Sequence, residues 1–415
     1  MGDYELICLE DGSTVEERYT LSCGSGHKGL LRTRYRSRQL QVRPCEGIFK
    51  FYDWLPVRST LETDAAPVAF RSERLSKELG LSDLWVGFTG YYPERNAKVR
   101  SCTFKEMEAL PTFARLRDNG GGTMILASAG NTARAFAQTA SRTGNRCLIV
   151  VPKKARDRLT VEEDTGNVRL FTVDGDYTDA IRMADRITAL GGFVPEGGAR
   201  NVARRDGMGT VMLQGAVTMG RIPDHYFQGV GSGTGGISAW EASMRLIGDG
   251  RYGDRLPRLN LSQNSPFTPM AKAWNEGRRT ISDDDLGDKD DISKVYADVL
   301  TNRSPPFSMA GGVFDAMSEC GGRFYEVTND AARSAEKLWM SCENACPDPA
   351  ASVALASLID AVEFGAVGRD ECIFLNMTGG GLDRVREDVE MTVLGVEAEI
   401  PLDISEEDLR GVIDV

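Results

Sequence analysis

Short apolar runs alternate with longer segments of helical periodicity along nearly the whole chain, and this alternation constrains the fold more than any other feature. The strand-like runs fall at 84–88, 124–127, 147–151, 168–173, 225–230, 259–263, 323–327 and 372–377. Between them lie helical patterns at 132–143, 177–190, 211–222, 237–247, 330–342 and 350–364. Strands spaced by helices predict parallel βαβ units and sheets covered by helices on both faces. The 415 residues exceed what one compact core absorbs, so an α/β chain of two open-sheet lobes is expected. Residues 1–60 read differently: short alternating pieces separated by turn signals predict an N-terminal β-hairpin extension. The acidic stretch 283–291 reads as a solvated loop.

Charge and cysteine usage exclude several functions. A formal net charge of −12 argues against nucleic acid and anionic membranes as partners. An anionic substrate would therefore need a local basic pocket. The nine cysteines are scattered, several of them within apolar strand-like runs such as CLIVVP, as buried reduced thiols are. No signal peptide and no apolar run long enough to span a bilayer is visible, so a cytoplasmic location is expected.

Three segments carry chemistry. In HYFQGVGSGTGGISAWEA a strand leads through Gly231, Ser232, Gly233, Thr234, Gly235 and Gly236 into a helix. Glycines let backbone N–H groups approach an anion, the helix N-terminus adds positive potential, and two hydroxyls add donors. A Rossmann loop looks much the same, but it wants an acidic residue on a following strand end, and RLIGDGRYGDR is a loop. A plain tight turn between strand and helix is the bland alternative. In a second segment, Ser128, Ala129, Gly130, Asn131 and Thr132 join the strand MILA to a helix, a turn suited to a carboxylate. In the third, Thr103-Phe104-Lys105 opens a helical stretch. Singly, such a lysine is a solvated charge and such a Ser or Thr a helix cap.

The order of these pieces resembles the fold-type II pyridoxal 5'-phosphate (PLP) enzymes, and among them the threonine synthases. The Schiff-base lysine of that family follows a Ser-Phe-Lys core, here Thr103-Phe104-Lys105. The asparagine loop comes next, with Asn131 facing the cofactor ring and Ser128, Ala129, Gly130 and Thr132 facing the substrate carboxylate. The phosphate loop follows as Gly231–Gly235, and Thr378 in NMTGGG corresponds to the residue facing the pyridine nitrogen. The resemblance covers roughly 45–395. It implies a larger lobe of 61–102 and 206–400, a smaller lobe of 103–205 and a C-terminal tail of 401–415, with the cofactor in the cleft. A homo-oligomer is usual in the family.

Two departures point to a rebuilt substrate side. Glu106-Met107 replaces the Asp-Arg that follows the lysine in threonine synthases, and the basic ERNAKVR precedes it. The chain is most similar to the cysteate synthase family, which carries a Thr-Phe-Lys core. That likeness implies a β-replacement in which O-phospho-L-serine and sulfite give L-cysteate and phosphate through an aminoacrylate, a step toward coenzyme M. Threonine synthase acting on O-phosphohomoserine and a sulfide-using cysteine synthase are the rival reactions. A non-catalytic binding protein with a Rossmann-like loop is the rival of another class.

A doubly charged leaving group and a sulfite nucleophile need local cations. Lys98, Arg100 and Lys153 are the first candidates; Lys154, Arg156 and Arg158 also follow the strand CLIVVP, and Arg204 and Arg205 rank lower. Relatives often carry a small zinc ribbon of Cys-x-x-Cys pairs. Here Cys8, Cys23, His27 and Cys45 stand singly, and a metal-free hairpin is expected.

Overall fold

The computed structural model describes residues 4–128 and 130–414. Two open sheets form two lobes. The larger holds six strands in the order Arg323–Val327, Arg258–Asn264, His225–Gly229, Ile373–Met377, Leu84–Phe88 and Val68–Arg71. All pairs are parallel except the last, where Val68–Arg71 runs antiparallel along the edge. The smaller holds five parallel strands in the order Phe193–Pro195, Thr123–Ala127, Cys147–Pro152, Val168–Val173 and Val396–Ile400. All six residues of Cys147–Pro152 are buried, as a central parallel strand covered on both faces requires.

The eight strands expected beyond residue 60 are all present, each within one residue of its predicted ends. The helix expected at 211–222 is in fact Val202–Met219, because the glycines at its start mask the helical pattern. Two expected boundaries fail at the C-terminus. The strand Val396–Ile400 belongs to the smaller lobe, pairing with Val168–Val173, and not to the larger one. Its sequence VEAEI alternates acid with apolar residues on a half-exposed edge and gives no apolar run. Of the expected tail 401–415, the described residues 401–414 are not loose. Its helix Glu406–Ile413 buries Leu409 and Ile413 in the core of the smaller lobe, against Phe171, Val173 and Met183.

The N-terminal extension is a three-stranded antiparallel sheet of Tyr4–Cys8, Thr14–Val15 and Leu31–Tyr35. Within the extension expected as β-hairpins, residues 17–25 form no strand. The extension is anchored to the helices that flank the cleft. Arg205 pairs with Glu241 and donates to the Leu31 carbonyl, while Asp206 accepts from Tyr35 at 2.6 Å. No helix among the described residues is long and apolar enough to cross a membrane.

Candidate active site

The lysine turn and the end of the last central strand are zipped together. Phe104 N–H donates to the Thr378 carbonyl at 2.8 Å, Gly380 N–H donates to the Cys102 carbonyl at 3.1 Å, and Thr103 bridges to Gly379. Cys102 takes φ of 55°, a left-handed conformation that a non-glycine residue holds only when its surroundings fix it. The turn releases directly into the helix Lys105–Asp118, so Lys105 is its first residue.

Lys105 lines a cavity of about 340 Å³ between the lobes. Thr378, Asn131, Ser128, Gly130, Thr132 and the whole glycine loop from Gly231 to Gly235 line the same cavity. Ala129 lies outside the described residues. The helix Thr234–Asp249 points its N-terminus into the space, with the Ser232 and Thr234 hydroxyls 2.8 Å apart at its mouth. The glycines of the loop leave no room for side chains of their own. Gly233 has φ of 76°, and a Cβ there would lie 2.4 Å from Val313; one on Gly235 would lie 2.1 Å from Gln228.

The cavity does not reach Lys98, Arg100 or Lys153, the first candidates for substrate contact. Each is held elsewhere by an acid. Lys98 pairs with Glu46, Lys153 with Glu399 on the surface, and Arg100 with Asp64 and Glu162. Arg156 pairs with Asp157, and Arg205 is buried in its ion pair with Glu241. Of the basic residues considered, Arg158 and Arg204 do line the cavity. Arg158 reaches Asp298 of the other lobe at 2.8 Å with both side chains half exposed. Such a pair is weak, roughly 0–1 kcal/mol, and an incoming anion can displace the carboxylate.

A buried network that the sequence reading missed surrounds the amine. Glu108, one turn beyond Lys105, approaches its Nζ at 3.5 Å and is fully buried. Arg204 pairs with Glu108 and, at 2.8 Å, with Glu196. Burial lowers the Lys105 pKa and is the main cause; Arg204 pushes it the same way, and Glu108 opposes both. The amine is thus neutral, and able to attack or accept a proton, at lower pH than a free lysine. Burial likewise raises the Glu108 carboxyl against the pull of Arg204 and Lys105. The three-residue spacing of Lys105 and Glu108 on a helix was the available signal.

Asn131 is already engaged. Its amide donates to Asp348 at 3.1 Å, and its carbonyl oxygen accepts from Arg134 at 3.1 Å. Asp348 in turn caps the helix Pro349–Glu363 by accepting from Ala350 N–H at 2.9 Å. Asn131, on the smaller lobe, is thereby oriented by a residue of the larger.

Residues 65–379 match the family described as pyridoxal-phosphate dependent enzyme. A cysteate synthase of Methanocorpusculum labreanum is 54% identical over 95% of this chain and 97% of that protein. The chain belongs to this family of PLP enzymes. A cysteate synthase of Methanosarcina acetivorans is 50% identical over 99% of the chain and all of that protein. Among solved structures, maize serine racemase superposes with a TM-score of 0.58 at 14% identity, covering 77% of this chain and 90% of that one. Isoform 2 of threonine deaminase from Solanum lycopersicum gives 0.56 at 19% identity, covering 84% and 96%. The fold-type II architecture expected from the motifs is therefore present.

The residues around the cavity fit a PLP molecule. The glycine loop, with the Ser232 and Thr234 hydroxyls, is a cradle of N–H groups and hydroxyls for a phosphate. The half-buried Lys105 amine lines the same cavity and suits an aldehyde. A Glu108→Gln substitution tests the electrostatics of that amine. Glu108 favours the ammonium form, so its removal should lower the pH at which Lys105 becomes neutral. The pH midpoint for PLP uptake by the apoenzyme, followed by cofactor absorbance, should fall. An unchanged or higher midpoint would remove Glu108 from this role.

Proposed function

We propose that the chain catalyses a PLP-dependent β-replacement in which O-phospho-L-serine and sulfite give L-cysteate and phosphate, a step toward coenzyme M. Near-full-length identity of 54% with a cysteate synthase carries the substrate assignment. The convergence of Lys105, the glycine loop and Thr378 on one cavity supports the chemistry.

When bound, PLP supplies the electron sink for the bonds at Cα. The chain supplies the rest. Lys105 would hold the cofactor, and its neutral amine would take the Cα proton and later release the product. Gly231, Ser232, Gly233, Thr234 and Gly235 would hold the cofactor phosphate. Thr378 would offer the ring nitrogen a hydroxyl in place of a carboxylate, which leaves that nitrogen less protonated and the sink weaker. That suits elimination, in which departing phosphate carries charge away. Asn131 would meet the ring hydroxyl, and Ser128, Gly130 and Thr132 the substrate carboxylate at the N-terminus of the helix Asn131–Thr143. Arg158, which pairs weakly with Asp298 at the cavity, would supply a cation for the two anions.

The nine free cysteines support a reducing, cytoplasmic setting, and the family resemblance supports a homo-oligomer. Incubation with phosphoserine and sulfite should yield cysteate and phosphate, while phosphohomoserine alone should yield no threonine. Threonine from the second mixture with no cysteate from the first would overturn the assignment.

A further inference from the structure

Three potential metal ligands that stand far apart in the sequence meet in the N-terminal extension. The ligand atoms of Cys8, Cys23 and His27 all lie within 4.8 Å of one another. Cys8 Sγ is 3.3 Å from His27 Nδ1, although 19 residues separate them. Cys8 ends the strand Tyr4–Cys8; Cys23 and His27 lie in the connection between Thr14–Val15 and Leu31–Tyr35. A fourth donor is at hand. Asp11 Oδ2 lies 3.6 Å from His27 Nδ1, while Asp11 Oδ1 is occupied by the Ser13 N–H and hydroxyl. Cys45, the remaining N-terminal cysteine, is exposed and outside the group.

We propose that Cys8, Cys23 and His27 bind a zinc ion, with Asp11 or water as fourth ligand, and that this ion is structural. Zinc bonds of about 2.3 Å to sulfur and 2.0–2.1 Å to nitrogen place tetrahedral ligand atoms roughly 3.5–3.8 Å apart. The group therefore needs a contraction of about an ångström at its widest to close on the ion. Two thiolates and an imidazole select zinc over the hard cations magnesium and calcium. On binding, the two thiols give their protons to solvent.

The place of the cluster explains what an ion would do there. The connection it closes has no regular structure between residues 16 and 30, yet it holds the helices that carry Lys105 and Arg204. Glu17 pairs with the buried Arg115 of the lysine-bearing helix at 2.7 Å, and the Thr20 carbonyl accepts from the same guanidinium at 2.9 Å. The Tyr19 hydroxyl accepts from Asn201, the N-cap of the helix that carries Arg204. A metal staple at Cys8, Cys23 and His27 would close the chain on either side of Glu17, Tyr19 and Thr20, and would add to a small core in which Tyr4, Leu6, Leu31 and Val202 pack around the two cysteines.

The test uses the full-length holoenzyme purified without chelator. Elemental analysis should find about one zinc per chain that survives dialysis, and alkylation mapped by mass spectrometry should find Cys8 and Cys23 protected. A strong thiol-compatible chelator should raise their alkylation rates about tenfold or more, added Zn²⁺ should restore protection, and Cys45 should react equally throughout. Cobalt in place of zinc should give visible d–d bands beyond 600 nm, clear of the cofactor, and these should vanish in Cys23→Ser. Equal alkylation with and without Zn²⁺, or a Cys8–Cys23 disulfide in the freshly purified protein, would overturn the proposal. Because the protection assay uses the wild-type chain, misfolding of Cys23→Ser does not leave the question undecided.

Discussion

Replacing Lys105 with alanine should reduce cysteate formation by about a thousandfold or more, equivalent to roughly 4 kcal/mol of transition-state stabilisation. The loss is large because one amine is asked to bind the cofactor, move the Cα proton and release the product. Among the described residues no other amine lines the cavity to replace it; the remaining cations there, Arg158 and Arg204, are guanidinium groups that stay protonated. The fold should survive. Glu108 loses its lysine neighbour but keeps Arg204, so no carboxylate is left buried alone. Borohydride treatment should fix the cofactor irreversibly on the wild-type peptide containing Lys105 and on no peptide of Lys105→Ala. A persistent adduct on another lysine in the variant, with activity retained, would move the anchor elsewhere. Partial rescue by an added small amine would separate the proton-transfer role from the binding role.

The grouping of the site residues around one cavity was legible because its signal lies in chain order. Lys105, Asn131, the loop 231–235 and Thr378 are each ordinary alone, but their sequence follows the order in which the fold presents them. The central strands were legible for another reason: burial on both faces leaves uninterrupted apolar runs such as CLIVVP. What failed was pairing at a distance. Arg100 looks like a free cation in ERNAKVR, yet Asp64 and Glu162 hold it. Lys98 and Lys153 are likewise consumed by Glu46 and Glu399. A sequence lists charges without their partners, so it cannot say which cation is left to meet a substrate. The grouping of Cys8, Cys23 and His27 escaped in the same way: a template of close Cys-x-x-Cys pairs misses ligands brought together from separate parts of a loop. Val396–Ile400 escaped because an edge strand with one wet face carries too few apolar residues to stand out.

Gly207→Ala should destabilise the protein by about 2–4 kcal/mol, against the direction that helix propensity alone would give. Alanine in a helix interior is favoured over glycine by about 1 kcal/mol, so a freely exposed Gly207 would stabilise on substitution. It is not free. The helix Val202–Met219 crosses the lysine-bearing helix Lys105–Asp118 at this residue. A Cβ on Gly207 would lie 2.1 Å from the Met107 carbonyl oxygen and 2.6 Å from Pro111 Cγ. Neither can turn aside: one is backbone within a helix, the other a closed ring. The helices must therefore separate. That motion also pulls Arg204 away from Glu108 and alters the setting of Lys105, one turn earlier. Displacements of this order cost about a hundredfold in rate where reacting groups must be held in line. Gly209, two residues on, provides the comparison. A Cβ there would meet the Ser238 carbonyl at 3.2 Å, a contact that a shift of a few tenths of an ångström relieves. Gly209→Ala should thus stay within about 1 kcal/mol of wild type and retain most of its activity. Guanidinium unfolding and steady-state rates on the two variants decide the matter. Equal stability for both would mean that the two helices do not meet as closely as the position of Gly207 requires, and the route from Arg204 to Lys105 would lose its support.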